Sequence, residues 1–281
     1  MANFQPVIKW SGSKRSQSDE IIKYFPTNID TYYEPFIGGG SMLMTLMLNS
    51  DRIKVKHYIC SDINKGLIDL WNLIKDSPQE VADHYEKLWN EMNSNDMRGN
   101  QSYKRSYYEN VRERYNKEHN PSDFMFIDRT CFNGLIRYNS KGEFNSPYHL
   151  NRNGIKPNVL RTIISEWSDL LKLNDVRFNC NSYDNVLPNC NDFIYIDPPY
   201  ANTNGMYNGV FDNDEFFKWL KELKCKFVLS YNGISGETDN TYKVPSDVYD
   251  KHVYIKSGNS SFKRIKQSDN NAIVYESLYL G

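Results

Sequence analysis

TYYEPFIGGGSMLMTLML, residues 31–48, decides the fold. An aromatic, strand-forming run ends at Pro35-Phe36, Gly38-Gly39-Gly40 follow, and helix formers then run unbroken from Ser41 to Leu48. A strand that turns through glycines into a helix opens a parallel β-α-β unit, and glycines at that turn let the backbone approach a ligand closely. A second strand, in YICSDIN (58–64), ends on Asp62. It lies about 22 residues past the turn, where an acid can grip ribose hydroxyls. An ordinary tight turn followed by a capping aspartate is the plainer alternative.

Two details narrow the ligand. The third glycine of a dinucleotide turn is replaced by Leu43, and Glu34 stands just before the turn. An acid there would repel a pyrophosphate but suit a cation or an amino group. S-adenosylmethionine (AdoMet) carries ribose, adenine, an ammonium and a sulfonium and no phosphate, so it fits these acids better than a nicotinamide cofactor.

The alternation resumes after residue 160. VLRTIISEWSDLLKL (159–173) has helical spacing, and VRFNC (176–180), DFIYI (192–196) and KFVLS (226–230) are short strands. DEFFKWLKELK (214–224) is a helix opened by acids, as the helix dipole prefers. HVYIK (252–256) and AIVYESLYL (272–280) predict a β-hairpin around a basic loop. Residues 76–160 are polar, aromatic and rich in helix formers, with no parallel-strand run. The expected fold is α/β, a doubly wound, mostly parallel sheet covered on both faces, with the middle of the chain inserted as a module.

NDFIYIDPPYANTNG (191–205) bears on the chemistry. FIYI reads as a buried strand that stops in Asp197-Pro198-Pro199-Tyr200. Proline pairs break strands, so a plain turn is one reading. In an open α/β sheet, however, ligands bind beyond the carboxyl ends of the strands, which brings Asp197 and the Gly38–Gly40 turn to one crevice. A carboxylate and a main-chain carbonyl can each accept one proton of an exocyclic amine. That draws the nitrogen toward tetrahedral geometry and aims its lone pair at a methyl donor. Asp197 and the Pro198 carbonyl would be these acceptors, held in place by the prolines. Tyr200 can stack on a base removed from its helix.

Four segments, in chain order, carry a resemblance: KWSGSKR (9–15), EPFIGGGS (34–41) with SDIN (61–64), NGLIRYNSKGEFNSPY (133–148) and DPPY (197–200). With them the sequence resembles the Dam-type DNA adenine-N6 methyltransferases and their restriction-modification relatives. The resemblance implies a Rossmann-like, AdoMet-dependent catalytic domain over residues 1–65 and 161–281 and a mainly helical target-recognition insertion over 66–160. It implies double-stranded DNA as substrate, AdoMet as donor and no metal. Trp10 and Lys14 match positions lining the AdoMet site, Phe36, Gly38, Gly40 and Asp62 match cofactor positions, and Asp197 to Tyr200 match the catalytic loop. Tyr183, in NCNSYDNV (179–186), is set to meet the cofactor adenine. Lys9 matches a target-base contact, Phe132 a wedge into the duplex, and Asn133 a backbone and orphan-base contact. Leu135 and Arg137 match base readers, and Pro147 a further contact in the same groove. The implied site is short, an adenine preceded by guanine, with GATC the leading candidate. The chain departs from the family at Ser13, where a second glycine is usual, in HLNRNGIKPN (149–158) and in the short segment after DPPY.

The residues themselves agree with a reading loop. RTCFNGLIRYNSKGEFN (129–145) holds two turn signals, Asn133-Gly134 and Lys141-Gly142, and is expected to expose Phe132, Leu135, Ile136 and Arg137 at its tip. Arginine can bond two acceptors of guanine in the major groove, and an apolar wedge fills the gap left by a flipped base.

Composition sets the outer limits. At 281 residues, 39% hydrophobic and 25% charged, the chain fits one large domain or one domain with an insertion. Net charge is −1, so no global positive field advertises nucleic acid. Locally, Lys251–Ser268 contains five basic residues, Lys263 and Arg264 among them, and no acid. It is either a solvated hairpin or a phosphate-contacting loop. Five dispersed cysteines without a CxxC pair, and scattered histidines, argue against a zinc site or a disulfide framework. Without an apolar spanning run or a signal-peptide core, a cytoplasmic address is expected, with no membrane partner. The resemblance leaves two alternatives open: a cognate restriction endonuclease acting on the same site as partner, or an orphan enzyme without one. Rival readings are a methyltransferase for cytosine N4 or RNA adenine, a catalytically silent DNA-binding module and, further off, a dehydrogenase.

Overall fold

A computed structural model describes all residues except 1–3, 95–98, 152, 200–210, 237 and 260–272. The chain order is α1 (Ser18–Ile21), β1 (Asn28–Glu34), α2 (Ser41–Leu48), β2 (Lys54–Asp62), α3 (Lys65–Asp76), α4 (Pro78–Met92), α5 (Gln101–Glu118) and α6 (Pro121–Thr130). It continues with α7 (Pro157–Leu173), β3 (Val176–Cys180), β4 (Phe193–Ile196), α8 (Asn213–Glu222), β5 (Lys226–Tyr231), β6 (Ile234–Ser235), β7 (Thr238–Asp239), β8 (Lys251–Asn259) and β9 (Ile273–Leu280). Strands β1 to β5 are parallel in the order β3-β2-β1-β4-β5, and β9 adds antiparallel to β5. β8 pairs antiparallel with the other edge of β9, giving the sheet a reversed hairpin at one side. The small β6–β7 hairpin joins through β6 to β9.

β4 explains why the sheet is doubly wound. Its four residues are all buried. Phe193 and Tyr195 enter one apolar core, while Ile194 and Ile196 enter a second core with Phe216 and Leu220 of α8. A strand buried on both faces reads as a continuous apolar run, as FIYI does. On the first face Trp71 of α3 lies between Trp167 of α7, centroids 5.0 Å apart, and Phe178 of β3, 5.3 Å apart.

Between β2 and β3 come α3 to α7. α6 packs against α3, α4 and α5, and Phe124, Met125, Phe126 and Ile127 are fully buried. Four consecutive buried apolar residues cover every side of a helix, so α6 is enclosed by its neighbours. After α6 the chain makes an irregular hairpin, with antiparallel bridges Cys131–Tyr148 and Tyr138–Phe144. Asn133 and Gly134 take left-handed φ values of 55° and 66°, as an Asn-Gly turn prefers. One expectation is corrected here. Ile136 is only 5% exposed and joins the core, so the tip presents Phe132, Leu135 and Arg137 without it. Alternation along an extended segment turns Ile136 opposite to its two neighbours.

Candidate active site and reading loop

The strand order reverses between β1 and β4. At that switch point the carboxyl ends of the strands leave a crevice. A pocket opens there, lined by Trp10, Phe36, Gly38, Asp62, Tyr183 and Asp197. Ile63, Ser182, Pro199 and Phe211 complete it. The acid that ends β2 and the acid just after β4 therefore share one cavity.

Its walls are aromatic. Phe36 stacks on Tyr183 at 5.7 Å, and Phe211 meets Phe36 edge-on at 6.1 Å. The glycine turn is shaped around Trp10: a Cβ on Gly38 would lie 2.6 Å from Trp10 Nε1, and one on Gly39 2.9 Å from Trp10 Cβ. Gly40 does different work and is absent from the pocket wall. Its φ is 67°, and a Cβ there would come within 3.0 Å of Trp71. It lets the start of α2 sit against that ring.

Asp62 Oδ2 accepts the Gly38 N–H at 3.4 Å and Oδ1 accepts the Asn64 N–H at 3.0 Å. Burial pushes its carboxyl up to about 6 against these bonds. Glu34 is buried rather than pocket-lining, and its Oε2 accepts the Tyr32 hydroxyl at 2.7 Å. Burial pushes it up to about 8, so it is largely protonated at neutral pH.

Lys14 Nζ donates to both oxygens of Asp197 at 2.7 Å and also to the Gly12 carbonyl. Glu276 Oε1 of β9 lies 3.9 Å away. Lys14 is 4% exposed and Asp197 20%. Burial alone would lower the lysine's pKa, but Asp197 and Glu276 raise it well above the ordinary value, which keeps it charged. Burial raises Asp197, and Lys14 draws it back. Lys14 thus stands behind Asp197 and off the cavity wall. Nothing in the sequence announces the Glu276 contact. Ile63, Ser182 and Phe211 were likewise missed, although two of them adjoin residues already singled out.

Around 131–148, the residues expected to face DNA are gathered in one loop and the strip beside it. Phe132 is 45% exposed, its N–H donates to the Pro147 carbonyl at 2.8 Å, and its ring stacks on His149 at 5.3 Å. Arg137 Nε donates to Asn145 Oδ1 at 2.8 Å, which fixes the guanidinium's direction. The stem of Lys9 lies against Gly134. Tyr200, Lys263 and Arg264 lie outside the described residues. Among those described, no three His, Cys, Asp or Glu side chains gather as a metal site, and no helix is long and apolar enough to cross a membrane.

A doubly wound sheet with an aromatic-walled pocket at its switch point, and an acid followed by two prolines beyond β4, defines a Rossmann-like methyltransferase. Residues 10–275 match the model of the D12 class N6 adenine-specific DNA methyltransferases, and the chain belongs to that family. It is 32% identical over 215 residues to a type II methyltransferase of Methanocaldococcus jannaschii, covering 71% of this chain and 70% of that protein. It is 27% identical over 256 residues to a type II methyltransferase of Lactococcus lactis, covering 86% and 85%. It is 32% identical over 201 residues to the DNA adenine methylase of Escherichia coli, covering 69% and 64%. Of the readings left open by the residues, transfer of a methyl group to adenine in DNA is the one the family has.

Proposed function

We propose that the chain methylates the exocyclic N6 amine of an adenine flipped out of a short duplex site, with AdoMet as donor and GATC as the leading candidate site. The observation that carries this reading is the shared cavity of Asp62 and Asp197 between aromatic walls. AdoMet fits it by chemistry: rings for the adenine, the Asp62 carboxylate for ribose hydroxyls and, among the described lining residues, no cluster of cations for a phosphate. Trp10, Phe36, Gly38, Asp62 and Tyr183 would hold it. Bound there, it supplies an electrophilic methyl group.

The remaining work is done by the chain. Asp197 and the Pro198 carbonyl accept hydrogen bonds from the two amine N–H groups and hold the nitrogen in line, Asp197 takes the one proton the nitrogen loses once methylated, and Tyr200 stacks on the flipped base. Lys14 draws the Asp197 carboxyl back against the raising effect of burial and so favours its ionised, hydrogen-bond-accepting form. Residues 66–160 form the recognition module on the catalytic domain of 1–65 and 161–281. Within that module Phe132 enters the duplex, Asn133 holds the backbone and orphan base, and Leu135, Arg137 and Pro147 read base edges together with Lys9. Lys263 and Arg264 contact phosphates. The type II names of two relatives support an endonuclease acting on the same site as the partner. A DNA substrate supports a cytoplasmic address.

The test is calorimetric titration with AdoMet, followed by methylation of duplexes that differ from GATC by one base pair and nucleoside analysis of the product. Binding of AdoMet and N6-methyladenine confined to GATC are expected. Absence of binding sinks the donor, and methylation of a site without guanine beside the adenine sinks GATC alone.

A further inference from the structure

We propose that Asp128 is a positioning residue for base recognition: from the end of α6 it fixes Lys9 against the reading loop and so sets discrimination at the base pair Lys9 contacts. The proposal rests on the base-contact role given to Lys9 above. Asp128 is fully buried, and its Oδ2 accepts the Lys9 backbone N–H at 2.9 Å. The next residue, Arg129, donates from Nη2 to the Pro6 and Val7 carbonyls, each at 2.6 Å. Two consecutive side chains of one helix end thus grip residues 6–9.

The loop grips the same residue from its other side. Gly134 has φ +66°, and a Cβ there would lie 2.6 Å from Lys9 Cγ and 2.8 Å from Cδ. The stem of Lys9 therefore lies flat on the left-handed turn between Asn133 and Leu135, while its backbone is tied to Asp128. One residue further, Trp10 packs on the Gly38–Gly39 turn. Lys9 is held at the junction of the pocket wall and the loop.

Holding one N–H does not require a charge. A buried carboxylate is costly unless it is compensated, and Asp128 Oδ1 has no hydrogen-bond partner among the described residues. Arg129 and Lys9 are the cations whose charges reach it. A carboxylate here anchors the Lys9 backbone and, when ionised, also attracts the Lys9 ammonium, which narrows the positions from which Lys9 can meet a base. An amide in its place would keep the anchor and lose only the attraction.

The experiment measures kcat/KM for the full chain on a panel of duplexes that differ by one base pair. Wild type, Lys9→Ala, Asp128→Ala, Asp128→Asn and the Lys9→Ala/Asp128→Ala double variant are compared. Lys9→Ala is expected to lose about 10-fold or more of discrimination at one base pair. Asp128→Ala should lose it at the same pair and no other, the double variant should be no worse than Lys9→Ala, and Asp128→Asn should recover most of the loss. Should Asp128→Ala fail to fold, Gly134→Ala, which displaces Lys9 from the opposite side, must give the same pair-specific loss. Even losses over the panel from Asp128→Ala or Gly134→Ala, beside a pair-specific loss from Lys9→Ala, overturn the positioning role. An even loss from Lys9→Ala itself overturns its base contact, and the proposal with it.

Discussion

The carboxyl edge of the sheet and the 131–148 loop are held by different means. Asp197 follows a strand buried on both faces and is locked to a buried lysine. Phe132 and Arg137 stand on a hairpin with two isolated bridges, oriented by hydrogen bonds to neighbours in the same loop, Pro147 for the first and Asn145 for the second. The difference follows from the tasks. Chemistry on an amine needs acceptors fixed before the substrate arrives. Reading a duplex needs side chains that reach out from a scaffold, which loops provide. Substitutions at the sheet edge should therefore change rates for every sequence alike, and substitutions in the loop should change which sequence is used.

The largest expected effect is at Asp197. Asp197→Ala should lower turnover by at least about 10²-fold with AdoMet affinity almost unchanged. Near-normal turnover by single-turnover methylation would remove the carboxylate from the mechanism. Lys14→Met should cost less, about 10-fold at neutral pH, and in a particular way. Without the ammonium, burial leaves Asp197 protonated to higher pH, so the acid limb of the pH–rate profile should move up and activity should recover as pH rises. An unmoved limb would mean that Lys14 does not control Asp197.

Asp62→Ala should weaken AdoMet binding by about 1–3 kcal/mol, the usual loss for a hydrogen bond to a charged group. Unchanged affinity by calorimetry would make Asp62 merely a cap on the glycine turn. The smallest effect is on stability. Burial raises Asp62, Asp128 and Glu34 to about 6, 7 and 8. In the unfolded chain these carboxyls titrate near 4, so between about pH 4 and 8 the folded chain binds more protons and stability falls as pH rises. The melting temperature should drop across that window by about 2–4 °C for each kcal/mol of ionisation cost. Glu34→Gln, which can still accept the Tyr32 hydroxyl, should flatten the drop, and an equal slope in that variant would refute the assignment.

Much of the fold could be read ahead because the central strands are short apolar runs bounded by breakers. VRFNC coincides with β3, and SMLMTLML coincides with α2 between Gly40 and Asn49. The two-residue strands β6 and β7 and the one-turn α1 could not, since they are too short for periodicity to register. In the site, the glycine turn, Asp62 and Asp197 sit at strand ends, where topology alone implies a crevice. Lys14 pairs with Asp197 across 183 residues and Lys9 with Asp128 across 119. No local pattern encodes such pairings. Asp128 did leave one sign, a charge in the apolar run FMFIDRT (124–130) of a buried helix.

The comparison between sheet edge and loop is tested most directly by kcat/KM of Asp197→Ala and Arg137→Ala on a panel of duplexes that differ from the preferred site by one base pair. Asp197→Ala should lower every rate by the same factor. Arg137→Ala should lose about 1–3 kcal/mol of discrimination at one base pair, with the others unchanged. An even fall with Arg137→Ala, or a sequence-dependent one with Asp197→Ala, would contradict the division of labour between the two regions.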